Sequence, residues 1–440
     1  MASTHRWGAQ TQKAIDNFPV SGDRIPQPLI EALAMIKAEA AAVNNELGII
    51  GESMASAIRQ AADEIVGGKM ADQFPVDVFQ TGSGTSTNMN INEVIANRAA
   101  EILGDEVHPN DHVNASQSSN DTFPSAARLA AVLQLTAALL PALDSLRASL
   151  LDLSGRHQET VKMARTHLMD AVPMTFGQEV SGWARAVELS SERIKAMLPR
   201  LAELPIGGTA VGTGLNAPRG FGSMVAQRLS VRTGFTFIEA GNHFEAQSSQ
   251  DAMVEAGAML KVVALSLHKI AGDLRLLGSG PHGGLGEITL PELQAGSSIM
   301  PGKVNPVIPE MVQQVTAQVV GNDATMTFAA TMSTLQLNTA MPITARSLLS
   351  STHLLANAAS LLDTRCIRGI EVDRDRMMRN AERSPAIVTA LAPRIGYDAA
   401  AKLVHQAEEQ GISLAELIEQ QDAGTSSIGD ALLAMTRPAD

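Results

Sequence analysis

The sequence predicts an all-α protein built around an elongated bundle of five long helices. Three observations lead to this class. Ala, Leu and Met abound while aromatic residues make up only 3% of the chain, a composition suited to helix because such side chains lose little rotamer freedom there. Five segments run for many turns with apolar residues on nearly every side. The Gly and Ser clusters, at 81–86, 116–121, 207–214, 278–286 and 296–306, fall between those segments.

The first rod spans Ser125 to Leu153, where Pro141 should introduce a kink because it removes a backbone donor. The second, Gln178 to Leu204, carries Val180, Trp183, Ala186, Val187 and Leu189 ahead of Pro199. Asp251 to Leu277, about Pro309 to Thr331, and Met341 to Leu362 complete the set. A helix apolar all round must be surrounded by other helices. At 1.5 Å per residue each rod is roughly 35–40 Å long, and one bundle leaves faces uncovered, so association with further copies is expected. After Thr364 the pattern changes. "RCIRGIEVDRDRMMRNAERSP" is charged, and "IGYDAAAKLVHQAEEQGISLAELI" reads as two shorter amphipathic helices, placing a small domain from about Val372 onward.

Composition narrows the function. The chain has 440 residues, enough for two or three domains, and 33 Lys plus Arg against 46 Asp plus Glu give a net charge of −13. That balance disfavours nucleic acid and anionic membrane as partners. An anionic substrate would have to be held by a few placed cations and by helix N-termini. A single cysteine, Cys366, leaves no internal disulfide and no multi-cysteine metal site, as suits a reducing compartment. "MASTHRWGAQ" lacks the apolar core of a secretory signal. Arg128, Gln134, Lys261 and Lys269 interrupt the most apolar stretches, short of the ~18 apolar residues a membrane span requires. A soluble, cytoplasmic protein is expected.

The loop "GSSIMPGKVNP", Gly296 to Pro306, contains a Gly-Lys pair, but five residues separate Gly296 from Gly302 and Val304 follows Lys303. A phosphate loop needs four residues there and then Ser or Thr. "TGSGTSTNMNINE" (Thr81 to Glu93) and "SQSSNDTFPSA" (Ser116 to Ala126) read either as helix caps or as rings of hydroxyl and amide donors suited to a carboxylate. "ARTHLMDAVP" puts His167 beside Thr166 in a loop, and "GGTAVGTGLN" lacks the spacing and βαβ context of a dinucleotide site. The ten histidines read as scattered, without a His-x-x-x-His pair, and no metal site is expected.

Taken in order, these blocks resemble the class II fumarase branch of the fumarase/aspartase superfamily. The likeness runs from "WGAQTQKAIDNFP" through "FQTGSGTSTNMNINEVIANRA", "VHPNDHVNASQSSNDTFP", "RTHLMDAVPMTFGQE" and "GGTAVGTGLN" to the signature "GSSIMPGKVNP", ending near "IGYDAAAKL". It covers nearly the whole chain. The resemblance implies an N-terminal domain over 1–118, a central five-helix bundle over 119–371 and a small C-terminal domain over 372–440. It also implies a homotetramer whose bundles form a core of about 20 helices, with each active site drawing on three subunits.

The implied reaction is the reversible hydration of fumarate to L-malate in the citric acid cycle, through an aci-carboxylate intermediate, with no cofactor and no metal. By the same resemblance Ser297 is the base that takes the carbon-bound proton. His167 assists departure of the hydroxyl through a bound water, and Glu310 pairs with it. Ser83, Thr85, Ser118, Ser119, Asn120, Thr166, Ser298, Lys303 and Asn305 bind the substrate carboxylates. His108, Asn110 and Asp111 match a second dicarboxylate site, although Asp105 and Glu106 just upstream would weaken it. Gln336 in "TLQLNTAMP" resembles an aspartase, which keeps aspartate ammonia-lyase, or a lyase of a substituted fumarate, as the alternative. Ser119, Gly302 and "GGTAVGTGLN" lie on the fumarase side. The N-terminal hairpin is about a dozen residues shorter than in relatives, and looser packing of the small domain is expected.

Overall fold

A computed structural model describes residues 5–384, 388, 396–412, 414–421 and 428–436. The chain forms two compact units: Met1–Pro141, Ser191–Ala264 and Ala317–Ala356 make the first, and Ala142–Ser190, Leu265–Thr316 and Asn357–Asp440 the second. The divisions fall inside long helices. The fold is all-α. Among the described residues, eight short strands pair two by two, antiparallel except for one parallel pair.

The first unit opens with α1 (Ala9–Asn17), α2 (Gln27–Glu46), α3 (Glu52–Val66) and α4 (Thr85–Leu103). Helix α1 carries no side-chain cap of its own. Glu93 of α4 supplies one, accepting from the backbone N–H groups of Gly8, Gln10 and Thr11 at 2.8, 2.9 and 3.1 Å and from the Thr11 hydroxyl at 2.6 Å. A carboxylate at a helix start satisfies otherwise orphaned donors and complements the dipole. Helix α2 is buried on nearly every side and packs against α3, α5 (Ser119–Gln134) and α8 (Phe221–Thr233).

The first rod starts six residues earlier than the sequence reading places it. Ser118 and Asp121 form a capping box that begins α5 at Ser119. Helicity then continues to Arg156 through α6 (Leu140–Arg156). A π-helical stretch, Leu135–Leu139, directly precedes Pro141, where a kink is expected. The wider turn lies just before the ring and accommodates the missing donor without ending the helix. The other rods are α7 (Phe176–Leu201), α10 (Asp251–Leu277), α11 (Val307–Ala330) and α12 (Met341–Arg365). The 38-residue helix Ser119–Arg156 is, by length and composition, long enough to cross a membrane, contrary to the sequence reading. Half of its most apolar window is buried within the protein. Arg128 within it is buried and donates to the carbonyls of Glu203 and Ala246 at 2.7 and 3.2 Å.

The second unit carries the hairpin β1–β2 (Val161–Thr166 and Met169–Thr175), α13 (Arg374–Arg383), α14 (Tyr397–Gln410), α15 (Leu414–Gln421) and α16 (Ile428–Met435). Its apolar cluster joins Val161 and Met163 of β1 to Ala381, Ala407, Leu414, Leu417 and Leu432. The hairpin base therefore rests on the C-terminal helices, leaving its tip in solvent.

Gly84 is a tight point of the first unit. It holds φ +75°, and a Cβ there would run into the Phe123 ring of α5. Gly84→Ala is expected to destabilise the protein by roughly 2 kcal/mol or more, combining left-handed strain with overpacking. Thermal unfolding would show this as a lowered Tm. Combination with Phe123→Leu should recover part of the loss, and a strictly additive double variant would contradict the packing argument.

Candidate active site

Two helix starts converge in the first unit. Gly82 lies so close to Thr339 that a Cβ would strike its carbonyl, and the Gly82 carbonyl accepts from Met341 N–H at 3.0 Å. With Gly84, this brings the start of α4 beside the start of α5. The result is a chain of hydroxyls: Ser83 Oγ lies 2.8 Å from Thr85 Oγ1, which lies 2.7 Å from Ser119 Oγ. Three of the sequence-predicted residues are thus hydrogen-bonded to one another where two positive dipole ends meet, an arrangement suited to an anion.

Ser118 and Asn120 flank this chain with structural ties of their own. Ser118 Oγ accepts from Asn120 N–H at 3.2 Å, and Asn120 Nδ2 donates to the Ala210 carbonyl at 2.8 Å. Asp121, which sequence reasoning missed, is fully buried. It accepts backbone N–H groups from Ser118 at 2.9 Å, Thr209 at 2.9 Å and Gly207 at 3.1 Å. Burial pushes its carboxyl above the ordinary range, against the pull of those donors. The carboxylate ties the "GGTAVGTGLN" loop to the start of α5. Lys37 was also missed. It lies in the apolar face of α2, wholly buried, and donates to Asn114 Oδ1 at 2.8 Å and Gln117 Oε1 at 3.0 Å. It thereby holds the turn immediately before Ser118. The available sequence signals were the S-x-x-D cap and one lysine inside "ALAMIKAEAAAV".

In the second unit the signature loop folds back on itself. A Cβ on Gly296 would collide with the Lys303 carbonyl, and Asn305 Nδ2 donates to the Gly296 carbonyl at 2.7 Å. Gly302 at φ +79° makes the return turn. Inside it, Ser297 Oγ accepts backbone N–H groups from Ile299 at 3.2 Å and Met300 at 3.1 Å. Both donors favour the alkoxide over the neutral hydroxyl. Ser297 is half-buried, and Ser298 and Lys303 are exposed. Among the described residues the Lys303 side chain has no partner.

His167 lies in a loop, as the sequence reading has it, and that loop is a tight hairpin turn. With Leu168, His167 forms the two-residue tip of the β1–β2 hairpin, flanked by the Thr166–Met169 pair. Both tip residues have positive φ, 57° and 62°, as a type I′ turn requires. For two non-glycine residues this costs about 1 kcal/mol or more each. The hairpin is held at its base by a buried ion cluster. Lys162 lies 2.6 Å from Glu179 and 3.1 Å from Glu287, and Arg165 lies 2.7 Å from Glu287. Burial opposes the Glu287 charge, but Arg165 and Lys162 hold its carboxyl below the usual range. Glu310 occupies the first turn of α11. No hydrogen bond or ion pair joins His167 to Glu310, or either to Ser297, among the described residues.

The His108–Asn110–Asp111 segment forms a π turn, Pro109–Val113. His108 Nδ1 accepts from Asp111 N–H at 3.1 Å, and His112 Nδ1 accepts from His108 N–H at 2.9 Å. His108 and His112 form a His-x-x-x-His pair, contrary to the sequence reading. Among the described residues no group of three or more His, Cys, Asp or Glu is placed to hold a metal ion. Gln336 lies exposed at the tip of the β6–β7 hairpin, Ser333–Thr334 with Leu337–Asn338.

Residues 1–321 match the family described as "Lyase", and residues 387–436 match "Fumarase C C-terminus". The chain is 52% identical over 413 residues to a class II fumarate hydratase of Corynebacterium efficiens, covering 94% of this chain and 87% of that one. It is 51% identical over 427 residues to a class II fumarate hydratase of Mycobacterium tuberculosis, covering 97% and 89%. A recombinant class II fumarase structure from Schistosoma mansoni superposes with TM-score 0.95 at 36% identity, over 100% of this chain and 97% of that chain.

Lys37 provides a pH test. Burial lowers its pKa from 10.5 to about 7, so above about pH 7 the unfolded chain binds a proton that the folded protein does not. The burial penalty is present in full below that pH and is relieved as pH rises toward 10.5. Relative to Lys37→Met, the native protein should gain stability between pH 7 and 9, by at most about 1.4 kcal/mol per unit. Parallel Tm profiles for the two proteins would contradict this.

Proposed function

The chain belongs to the class II fumarate hydratase family, and on that premise we propose that it interconverts fumarate and L-malate with Ser297 as the carbon base. The observation that carries this reading is the pair of backbone N–H groups on Ser297 Oγ. A serine hydroxyl is too weak a base in water to deprotonate carbon. Two fixed dipoles, together with the Lys303 ammonium on the same loop, favour the alkoxide that can.

In the dehydration direction, the Ser297 alkoxide takes the proton from the carbon next to one carboxylate. The electron pair moves into that carboxylate to give the doubly charged aci form, which Lys303 and Asn305 stabilise. Collapse of the aci form expels the hydroxyl from the neighbouring carbon. His167, paired with Glu310, supplies the proton through a water. Ser83, Thr85, Ser118, Ser119, Asn120, Thr166 and Ser298 bind the carboxylates as neutral donors. The Ser83–Thr85–Ser119 chain at two helix starts supports this role. Asn305 and Asn120 donate within the protein, so on substrate binding each would exchange or share that bond.

We further propose a homotetramer with sites shared by three subunits, in the citric acid cycle and in the cytoplasm. The support is a set of apolar side chains exposed on the single chain. They include Leu265 of α10 at 51%, Phe328 of α11 at 66% and Leu168 at the hairpin tip at 71%. Another copy would cover them. The unpartnered His167 and Lys303 fit the same reading. The three-domain division at 1–118, 119–371 and 372–440 remains part of this proposal. So does the expectation that neither nucleic acid nor membrane is a partner, which the net charge of −13 supports. A second dicarboxylate at His108, Asn110 and Asp111 would bind weakly, because His108 Nδ1 is engaged by the turn and Asp105 and Glu106 precede it.

Fumarate formation followed by absorbance, with L-malate and L-aspartate supplied separately, tests the reaction: malate should be turned over and aspartate left untouched. The reverse result would favour the ammonia-lyase alternative. Ser297→Ala and His167→Asn are each expected to lower malate turnover by roughly a hundredfold or more. Near-normal turnover in either variant would remove the role given to that residue.

A further inference from the structure

One feature lies outside the hydratase chemistry. Within the second unit a cavity of about 440 Å³ is lined by Arg165, Asp170, Arg376, Arg379, Arg383 and Ser384, among others. Three of the arginines lie on α13, and with Asn380 they occupy positions i, i+3, i+4 and i+7, one face of the helix. Like charges at such spacings repel and destabilise an isolated helix. The chain as a whole is strongly acidic, at −13, yet among the described residues Asp170 is the one carboxylate on this lining.

The arginines differ in how they are held. Arg165 is bound to Glu287, and Arg376 donates to the carbonyls of Pro281 at 2.8 Å and Gly286 at 3.3 Å. Those two are fixed in place. Asn380 Nδ2 reaches Glu287 Oε1 at 3.2 Å and ties the helix face to the ion cluster behind the hairpin. Arg379 and Arg383 are exposed and have no hydrogen-bond or ion-pair partner among the described residues. A groove of the first unit provides the contrast. There Arg228 is paired with Glu39 and Glu46, and Arg232 with Glu39 and Asp63.

We propose that this cavity is a binding site for a phosphate-type oxyanion carrying at least two negative charges, about the size of a diphosphate. Guanidinium forks match tetrahedral oxyanions with paired N–H bonds. The volume falls within the range of small-ligand pockets. Bound anion would relieve the repulsion along α13. The proposal does not depend on the hydratase reading.

Pyrophosphate is the probe. Calorimetric titration of the intact protein is carried out with succinate saturating any dicarboxylate site and with ionic strength matched by KCl. Saturable binding of one pyrophosphate per chain is expected. Arg379→Glu combined with Arg383→Glu should weaken it at least tenfold, while malate turnover without pyrophosphate stays within twofold of the native enzyme. If the charge reversal disturbs folding, as circular dichroism would reveal, Arg379→Gln with Arg383→Gln replaces it, with at least a fivefold weakening expected. Absence of saturable binding, or binding unchanged in the folded variant, would overturn the proposal. Citrate binding as tightly as pyrophosphate at this cavity would overturn the preference for a phosphate-type ligand.

Discussion

The catalytic proposal depends on one interaction: the serine oxygen of Ser297 receives two backbone N–H groups from its own loop. Every unusual residue around it follows from closing a turn that tightly. Gly296 has no side chain because the Lys303 carbonyl occupies that space. Asn305 latches the loop by donating to the Gly296 carbonyl, and Gly302 takes the positive φ that reverses the chain. The amide dipoles do not need to reorganise as charge develops on the oxygen, which is why a fixed turn can alter the basicity of an alcohol.

A second constraint is electrostatic. An acidic chain that handles a dianion gains little from bulk charge, and in the proposed site the first unit offers neutral donors at two juxtaposed helix starts. That juxtaposition requires rigid support, which buried charged groups supply. Asp121 gathers three backbone N–H groups from two segments, and Lys37 crosslinks the preceding turn through two side-chain amides. Neither residue is proposed to meet substrate. Both are ionisable groups in the interior, costly unless hydrogen-bonded; the Asp121 charge partly offsets the burial of Lys37, and both are hydrogen-bonded to the segment around Ser118.

Much of the fold was legible because long apolar rods leave a strong periodic signal. Asp251–Leu277 was placed to the residue, and α11 and α12 within a few residues at their ends. The first rod was misplaced at its start because a functional-looking serine cluster doubled as a cap, and the π stretch before Pro141 left no signal of its own. The β1–β2 hairpin went unseen. Its strands lack clean alternation, and a His-Leu tip carries none of the Asn-Gly signal that marks such turns. The hydroxyl set and the signature loop were readable from their blocks. Asp121, Lys37 and the Arg165–Glu287–Lys162 cluster were not, because their importance lies in contacts between segments far apart in sequence.

Exchange of the carbon-bound proton of L-malate with deuterated solvent, followed by NMR, tests the central claim most directly, since it reads carbon deprotonation apart from loss of water. Ser297→Ala is expected to abolish this exchange, and His167→Asn to retain exchange in excess of net fumarate formation. Native-rate exchange in folded Ser297→Ala would contradict that claim, because the proton would then be leaving to some other base.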